Sequence, residues 1–318
     1  MSLMERTAQA LRDAADILGH ARGPVAIAAA LLPKSLRPLR ILNDLPTTPT
    51  PTPTATATAT QAQAGSPDAI ATKLRQLRNR LKAEIVRAGR VDYAALSRSQ
   101  AFAELQAASV LLRGVSPADM PDDRARIAFW TNLYNVLVMH GVINLRIERS
   151  VMEMPAFFST VAYKVGAHVF TLDDIENGVL RRNGRNPATG RPQLRHDDAR
   201  LACCPTRLDP RIHAALVCAA ASCPAVAFYD AGQLDAQLEA AACNWLAGAV
   251  AVEHAARSVR VPLALRYYAE DFGGSTGVWR FVAAHVDVEQ RLEIAAAQAA
   301  GYKLGYARYD WSLNQTLG

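Results

Sequence analysis

Apolar residues recur three and four positions apart through most of the chain, a spacing that predicts helices over strands. Met4, Ala8, Leu11, Ala15 and Leu18 share one face of an expected amphipathic helix that ends near Gly19 or Gly23, and the short apolar run Gly23 to Pro33 follows it. Periodicity then disappears. Pro46 to Gly65 reads PTTPTPTPTATATATQAQAG, whose alternating Thr, Pro and Ala cannot bury a core. The expected organisation is therefore an N-terminal helix and apolar segment over 1–45, an extended disordered linker over 46–66, and one folded domain over 67–318.

Inside that domain, Ile70, Leu74, Leu77, Leu81 and Ile85 form a helical stripe, and Tyr93 to Leu112 continues as helix. A connection with Pro117 and Pro121 leads to Arg126–Ile143, RIAFWTNLYNVLVMHGVI, which is apolar around its whole circumference and reads as a central buried helix. Alternation at Tyr163, Val165, His168 and Phe170 predicts a hairpin around Gly166, after which Thr171 and Asp174 make a capping-box pair at the start of a short helix. A polar loop, Asn183 to Arg200, separates this half from the next. Further on come helices at Gln233–Leu246, Leu263–Phe272, Gly277–Ala284 and Val288–Ala299, and strands at Ser258–Val261 and Tyr306–Leu313. The fold class these elements imply is α+β: a helix-rich single domain around a small, mainly antiparallel sheet.

Half of the 318 residues are apolar and the formal net charge is only +6, too mild an excess to imply nucleic acid. The basic residues Lys73, Arg75, Arg78, Arg80 and Lys82 have no aromatic platform among them, which favours a solvated helix face over a nucleic-acid grip. No run reaches the roughly 20 apolar residues that a membrane-spanning helix needs. The N-terminal helix still requires something to cover its apolar face: the folded domain, a membrane surface or another protein. Acidic Glu5, Asp13 and Asp16 before the apolar run are unlike the basic start of a signal peptide, so the cytoplasm is the default compartment.

Candidate chemistry concentrates in Asp209 to Val226, DPRIHAALVCAAASCPAV. His213, Cys218 and Cys223 fall five residues apart. Asp209 and Pro210 suit a helix start, whereas Ile212 to Val217 suits a buried strand; the strand followed by a loop is the preferred reading, with His213 and Cys218 then on opposite faces. One hypothesis is a thiol enzyme of papain-like or transglutaminase-like logic. Cys223, exposed by its Ser222-Cys223-Pro224 turn, or Cys218 is the nucleophile, His213 the base, and Asn132 or Asn135 the group that orients it. Ser222, Trp130, Glu176 and Tyr268 are the candidate substrate-binding residues for a small-molecule or peptide ligand. The alternative is a binding or structural module in which the Asn pair ties the buried helix to neighbouring backbone and the Cys pair is packed or bridged. Five cysteines, Cys203, Cys204, Cys218, Cys223 and Cys243, include no CxxC pair. A zinc site is therefore weakly supported, and no cofactor is expected.

The motifs AFWTNLYNVLVMHGV, FTLDDIENGVLR, DPRIHAALVCAAASCP, LRYYAEDFG and YDWSLN, in that order, resemble the family called domain of unknown function 547 (DUF547) over roughly Ile70 to Asn314. The resemblance implies no established activity; it suggests bacterial relatives that often look exported and plant relatives that look like multidomain regulatory proteins. The chain departs from the family's pattern at three positions. Asn177 stands where a histidine is usual, Val217 where an asparagine usually precedes the first Cys, and Ala219 where a glycine usually follows it.

Overall fold

The structure, a computed structural model, describes residues 38–44, 80, 86–87, 89–154 and 156–316. The expected N-terminal helix, the apolar segment, the linker and, except for Arg80, the Ile70 to Ile85 stripe lie outside the described residues. Strand β1 (Arg40–Ile41) precedes the hairpin β2 (Val86–Arg87) and β3 (Arg90–Val91). Helices α1 (Tyr93–Arg98) and α2 (Gln100–Leu111) replace the single helix expected there. Ser99 divides them: its backbone is extended at ψ 152°, and its hydroxyl caps the second helix by accepting from Phe102 N at 3.1 Å.

Helix α3 (Asp123–Asn144) is the central element, started by Asp122, whose carboxylate accepts from Ala125 N at 2.8 Å. Because its apolar residues occupy every face, the helix is buried on almost every side, with Trp130, Tyr134 and Leu137 fully enclosed. The short helix α4 (Phe157–Thr160) leads into β4 (Val161–Val165), which pairs antiparallel with β5 (His168–Thr171). Gly166, at φ 57°, makes the turn as the alternation predicts. β1 adds to the other edge of β4 in parallel, Arg40 opposite Val161. The capping box forms as well: Thr171 N donates to Asp174 and Asp174 N to Thr171 Oγ1, both at 3.1 Å. It opens a π-helical stretch, Asp174–Leu180, against α3.

Helix α5 (Leu234–Leu246) is followed by β6 (Ala251–Glu253) and β7 (Ser258–Val261), then α6 (Ala264–Tyr267), α7 (Gly274–Ala284) and α8 (Val288–Ala299), and finally β8 (Lys303–Tyr306). β7 is central in this second sheet, antiparallel to β6 and parallel to β8. Together these elements are α+β, with the strand content divided among two three-stranded sheets and one two-stranded ribbon. The helix expected over Leu263–Phe272 is split into α6 and a 3-10 turn, Ala269–Phe272, closed by Gly273 at φ 85°.

The strand expected at Tyr306–Leu313 is not there. β8 ends at Tyr306, and Asp310 turns the following chain by accepting from Ser312 N at 2.9 Å. Backbone groups beyond the turn then pair with the loop after Cys218 instead of a sheet: Ala221 N donates to Ser312 O at 2.7 Å and Asn314 N to Ala219 O at 2.9 Å.

Two apolar clusters hold the described residues together. The larger surrounds α3 and the first sheet; the smaller lies between α5, α7, α8 and the second sheet. The stretch from Ile212 to Val217 contributes to both, with Ala214 in the smaller and Ile212, Ala215 and Val217 in the larger. Among the described residues, no helix is long and apolar enough to cross a membrane.

Candidate functional site

The 209–226 stretch folds as a 3-10 turn, Pro210–Ala214, and not as the preferred strand. Pro210 supplies the fixed first-turn geometry and Asp209 caps it, accepting from Arg211 N at 3.0 Å. The chain then continues without a strand beside it, and an amide side chain serves its backbone groups instead. Asn135 donates to Ala215 O at 2.9 Å and accepts from Val217 N at 2.9 Å. Asn132 does the same for Tyr229, with 2.7 Å and 2.8 Å contacts to its C=O and N–H. Each amide thus pairs like a strand residue.

After Cys218 the chain reverses through Ala219 at φ 67°, and Cys223 N donates to Ala220 O at 3.0 Å. The reversal brings Cys223 back onto Cys218: their sulfurs are 3.0 Å apart, and Cys218 N donates to Cys223 Sγ at 3.2 Å. Tyr309 completes the group, its hydroxyl 3.2 Å from Cys218 Sγ and 3.3 Å from Cys223 Sγ. Ser222 holds the segment that carries it, for Asp310 N donates to Ser222 Oγ at 2.8 Å. Burial opposes charge on Cys223, yet hydrogen bonds from Cys218, Tyr309 and the loop backbone outweigh it, and the thiol is held below its ordinary value. Cys218 goes the other way. Its hydrogen bond to Cys223, and then burial, push its thiol well above the ordinary value, so Cys223 is the thiol of the pair that gives up its proton more readily.

These sulfurs line a cleft of about 340 Å³ together with Glu176, His213 and Tyr268. The opposite-face relation expected for a strand fails because a 3-10 turn, not a pleat, orients His213. His213 is buried, its Nε2 2.8 Å from Asp271 and its ring stacked on Tyr268 at 4.1 Å and 18°. Asp271 also receives Arg181, at 2.5 Å and 2.9 Å. Burial raises the Asp271 carboxyl, but His213 and Arg181 hold it below the usual carboxylate range. Glu176 accepts from Tyr134 at 2.9 Å and from Tyr268 at 2.5 Å, and burial followed by this carboxylate keeps both phenols protonated far beyond their usual range.

Of the residues singled out in the sequence, Cys218, Cys223, His213, Ser222, Glu176 and Tyr268 line this cleft. Asn132 and Asn135 shape the backbone behind it. Trp130 is fully buried in the larger core against Phe170, ring centroids 4.6 Å apart, away from the cleft wall. Asn177, in the place of the family's usual histidine, accepts from Arg181 at 2.7 Å and so braces the partner of Asp271. Sequence reasoning missed Tyr134, Asp271 and Tyr309. All three lie inside the quoted motifs, and polar residues repeated across separated motifs were the signal available.

A family model described as "Protein of unknown function, DUF547" matches residues 117–246. No curated protein and no solved structure matches the chain. The matched segment holds the Cys pair, His213 and Glu176; Tyr268, Asp271 and Tyr309 lie beyond it.

Proposed function

Starting from a chain whose segment 117–246 matches the DUF547 family model, we propose that the protein is a thiol-dependent hydrolase or acyltransferase with Cys223 as its nucleophile. The observation that carries this reading is the position of Cys223 Sγ, which accepts from Cys218 N and touches the Tyr309 hydroxyl, in the same cleft as a His213–Asp271 pair. In this reading the Cys223 thiolate attacks an acyl carbon, a C–S bond forms, and the tetrahedral oxyanion takes a hydrogen bond from Tyr309. His213, fixed by Asp271 at Nε2 and carrying on Nδ1 the proton that Cys223 gave up, passes it to the departing group, whose bond to carbon breaks. Water or an acceptor nucleophile, deprotonated by the same imidazole, then cleaves the thioester and restores the thiolate. The cleft volume suits a small-molecule or short peptide acyl donor.

Site-resolved alkylation with iodoacetamide across pH tests the reading. Cys223 of the native, reduced chain should react faster than the other four cysteines, with a midpoint below the roughly 8.5 of a free thiol. p-Nitrophenyl acetate should leave an acetyl group on Cys223, and Cys223→Ala should take up none. Inertness of Cys223 until the protein unfolds would sink the proposal.

A second reading is a binding module whose polar motifs hold the core together. It is supported by the way Asn132 and Asn135 spend their amides on backbone groups. Under it, Cys223→Ala would lose stability while no reagent distinguished Cys223 from its neighbours.

A further inference from the structure

Two half-buried thiols sit in contact at an accessible cleft, at the two ends of the six-residue loop Cys218–Cys223, which is already closed by its own hydrogen bonds. A disulfide requires a sulfur separation of about 2.05 Å. The sulfurs stand 3.0 Å apart, so the remaining approach is about the reach of small side-chain rotations. The Ala219 reversal has already brought the backbone into place.

We infer that Cys218 and Cys223 form a reversible two-electron redox couple, with a hydroperoxide as oxidant and a dithiol as reductant. The Cys223 thiolate attacks the outer oxygen of the hydroperoxide. An S–O bond forms, the O–O bond breaks, and the leaving alkoxide or hydroxide takes a proton from solvent at the cleft mouth. Cys223 is then a sulfenic acid. Cys218 attacks this sulfur, the S–S bond forms, the S–O bond breaks, and the hydroxide leaves with the Cys218 proton as water. The peroxide has gained the two electrons that the sulfurs have lost. An external dithiol returns them, with two protons, through a mixed disulfide.

The division of labour follows from the surroundings. Cys223 receives the Cys218 N–H and the Tyr309 hydroxyl, both of which stabilise a thiolate, while Cys218 keeps its proton and lies in contact ready to resolve the sulfenic acid. The remaining cysteines of the neighbourhood serve as internal controls. Cys204 donates to Gly178 O at 3.3 Å, and burial pushes its thiol up to about 11, while Cys203 is buried and likewise raised. Oxidation of the couple would also cap the nucleophile proposed above, but the couple does not depend on acyl transfer.

The test treats the reduced, full-length chain with stoichiometric hydrogen peroxide and maps the cysteines by mass spectrometry. The expected product is a Cys218–Cys223 bridge that dithiothreitol reverses, with Cys203, Cys204 and Cys243 still free. In Cys218→Ser the sulfenic acid should accumulate on Cys223 and be captured by dimedone; in Cys223→Ser, Cys218 should remain a thiol. Two free thiols after treatment, prior oxidation of another cysteine, or passage of Cys223 to sulfinic acid without a bridge overturns the couple. The two proposals separate cleanly. Acetylation of Cys223 without bridging removes the couple alone, and bridging without acetylation removes acyl transfer alone.

Discussion

Ala219 is the residue at which geometry and side chain disagree most. It is fully buried at φ 67°, in the left-handed region that a Cβ makes costly, where glycine is usual in the resembling family. Ala219→Gly should therefore raise stability by about 1 kcal/mol, after the larger conformational freedom of an unfolded glycine is counted. A urea titration that shows equal or lower stability would mean that the loop is unstrained. Tyr309 makes the second prediction at this scale. Its hydroxyl helps hold the Cys223 thiol low, so Tyr309→Phe should move the alkylation midpoint of Cys223 upward without changing that of Cys243. His213 and Cys218 were legible in the sequence because each stands among apolar neighbours, where a polar group needs a reason, and Cys223 because it falls in the same short stretch. Tyr309 and Asp271 were not, since each sits in a polar surrounding where exposure is the ordinary expectation.

Helix α3 shows what an element adds. Its apolar circumference predicted burial, and burial carries a consequence for His140, whose Nδ1 is 2.7 Å from the Tyr163 hydroxyl. Desolvation lowers this imidazole from 6.5 to about 4. As pH falls, the unfolded chain takes up the proton before the folded one does. Stability is therefore complete above about 6.5 and declines down to about 4, by up to roughly 3 kcal/mol if this group acts alone. His140→Gln should flatten the stability profile in that window; an unchanged slope would assign the acid sensitivity to other groups. The same helix supplies the two amides that substitute for a missing strand beside Ala215 and Tyr229. Their spacing of three put them on one face in the sequence, but which backbone they would meet was set elsewhere in the chain.

Across the whole molecule, the cleft lies where the two apolar clusters meet, and one buried ion pair ties them. Arg181 follows the π-helical stretch packed on α3, and Asp271 precedes α7; their side chains are 2% and 7% exposed. Asp271→Ala should cost about 4 kcal/mol, because it strands a buried guanidinium, and should also release His213. Asp271→Asn should lose much less stability but should still impair acetyl transfer from p-nitrophenyl acetate to Cys223. Equal tolerance of both substitutions in chemical denaturation would show that the pair does not join the clusters.

Legible in the sequence alone were the helix-rich α+β character, the hairpin at Gly166, the capping box at Thr171 and the stretch whose His213, Cys218 and Cys223 line the cleft. Those features rest on local rules: the 3.6-residue period, the φ of glycine and the reach of a Thr hydroxyl to a nearby N–H. The tertiary fold settled that the chain after Tyr306 leaves its sheet and that His213 shares a cleft with the sulfurs, while the 210–214 turn follows its local Asp209–Pro210 start in place of the preferred strand. The first two depend on groups that find partners far along the chain, as Ala221 does in Ser312 and His213 in Asp271. A buried N–H must be satisfied wherever the fold puts an acceptor, and local sequence carries no record of that address.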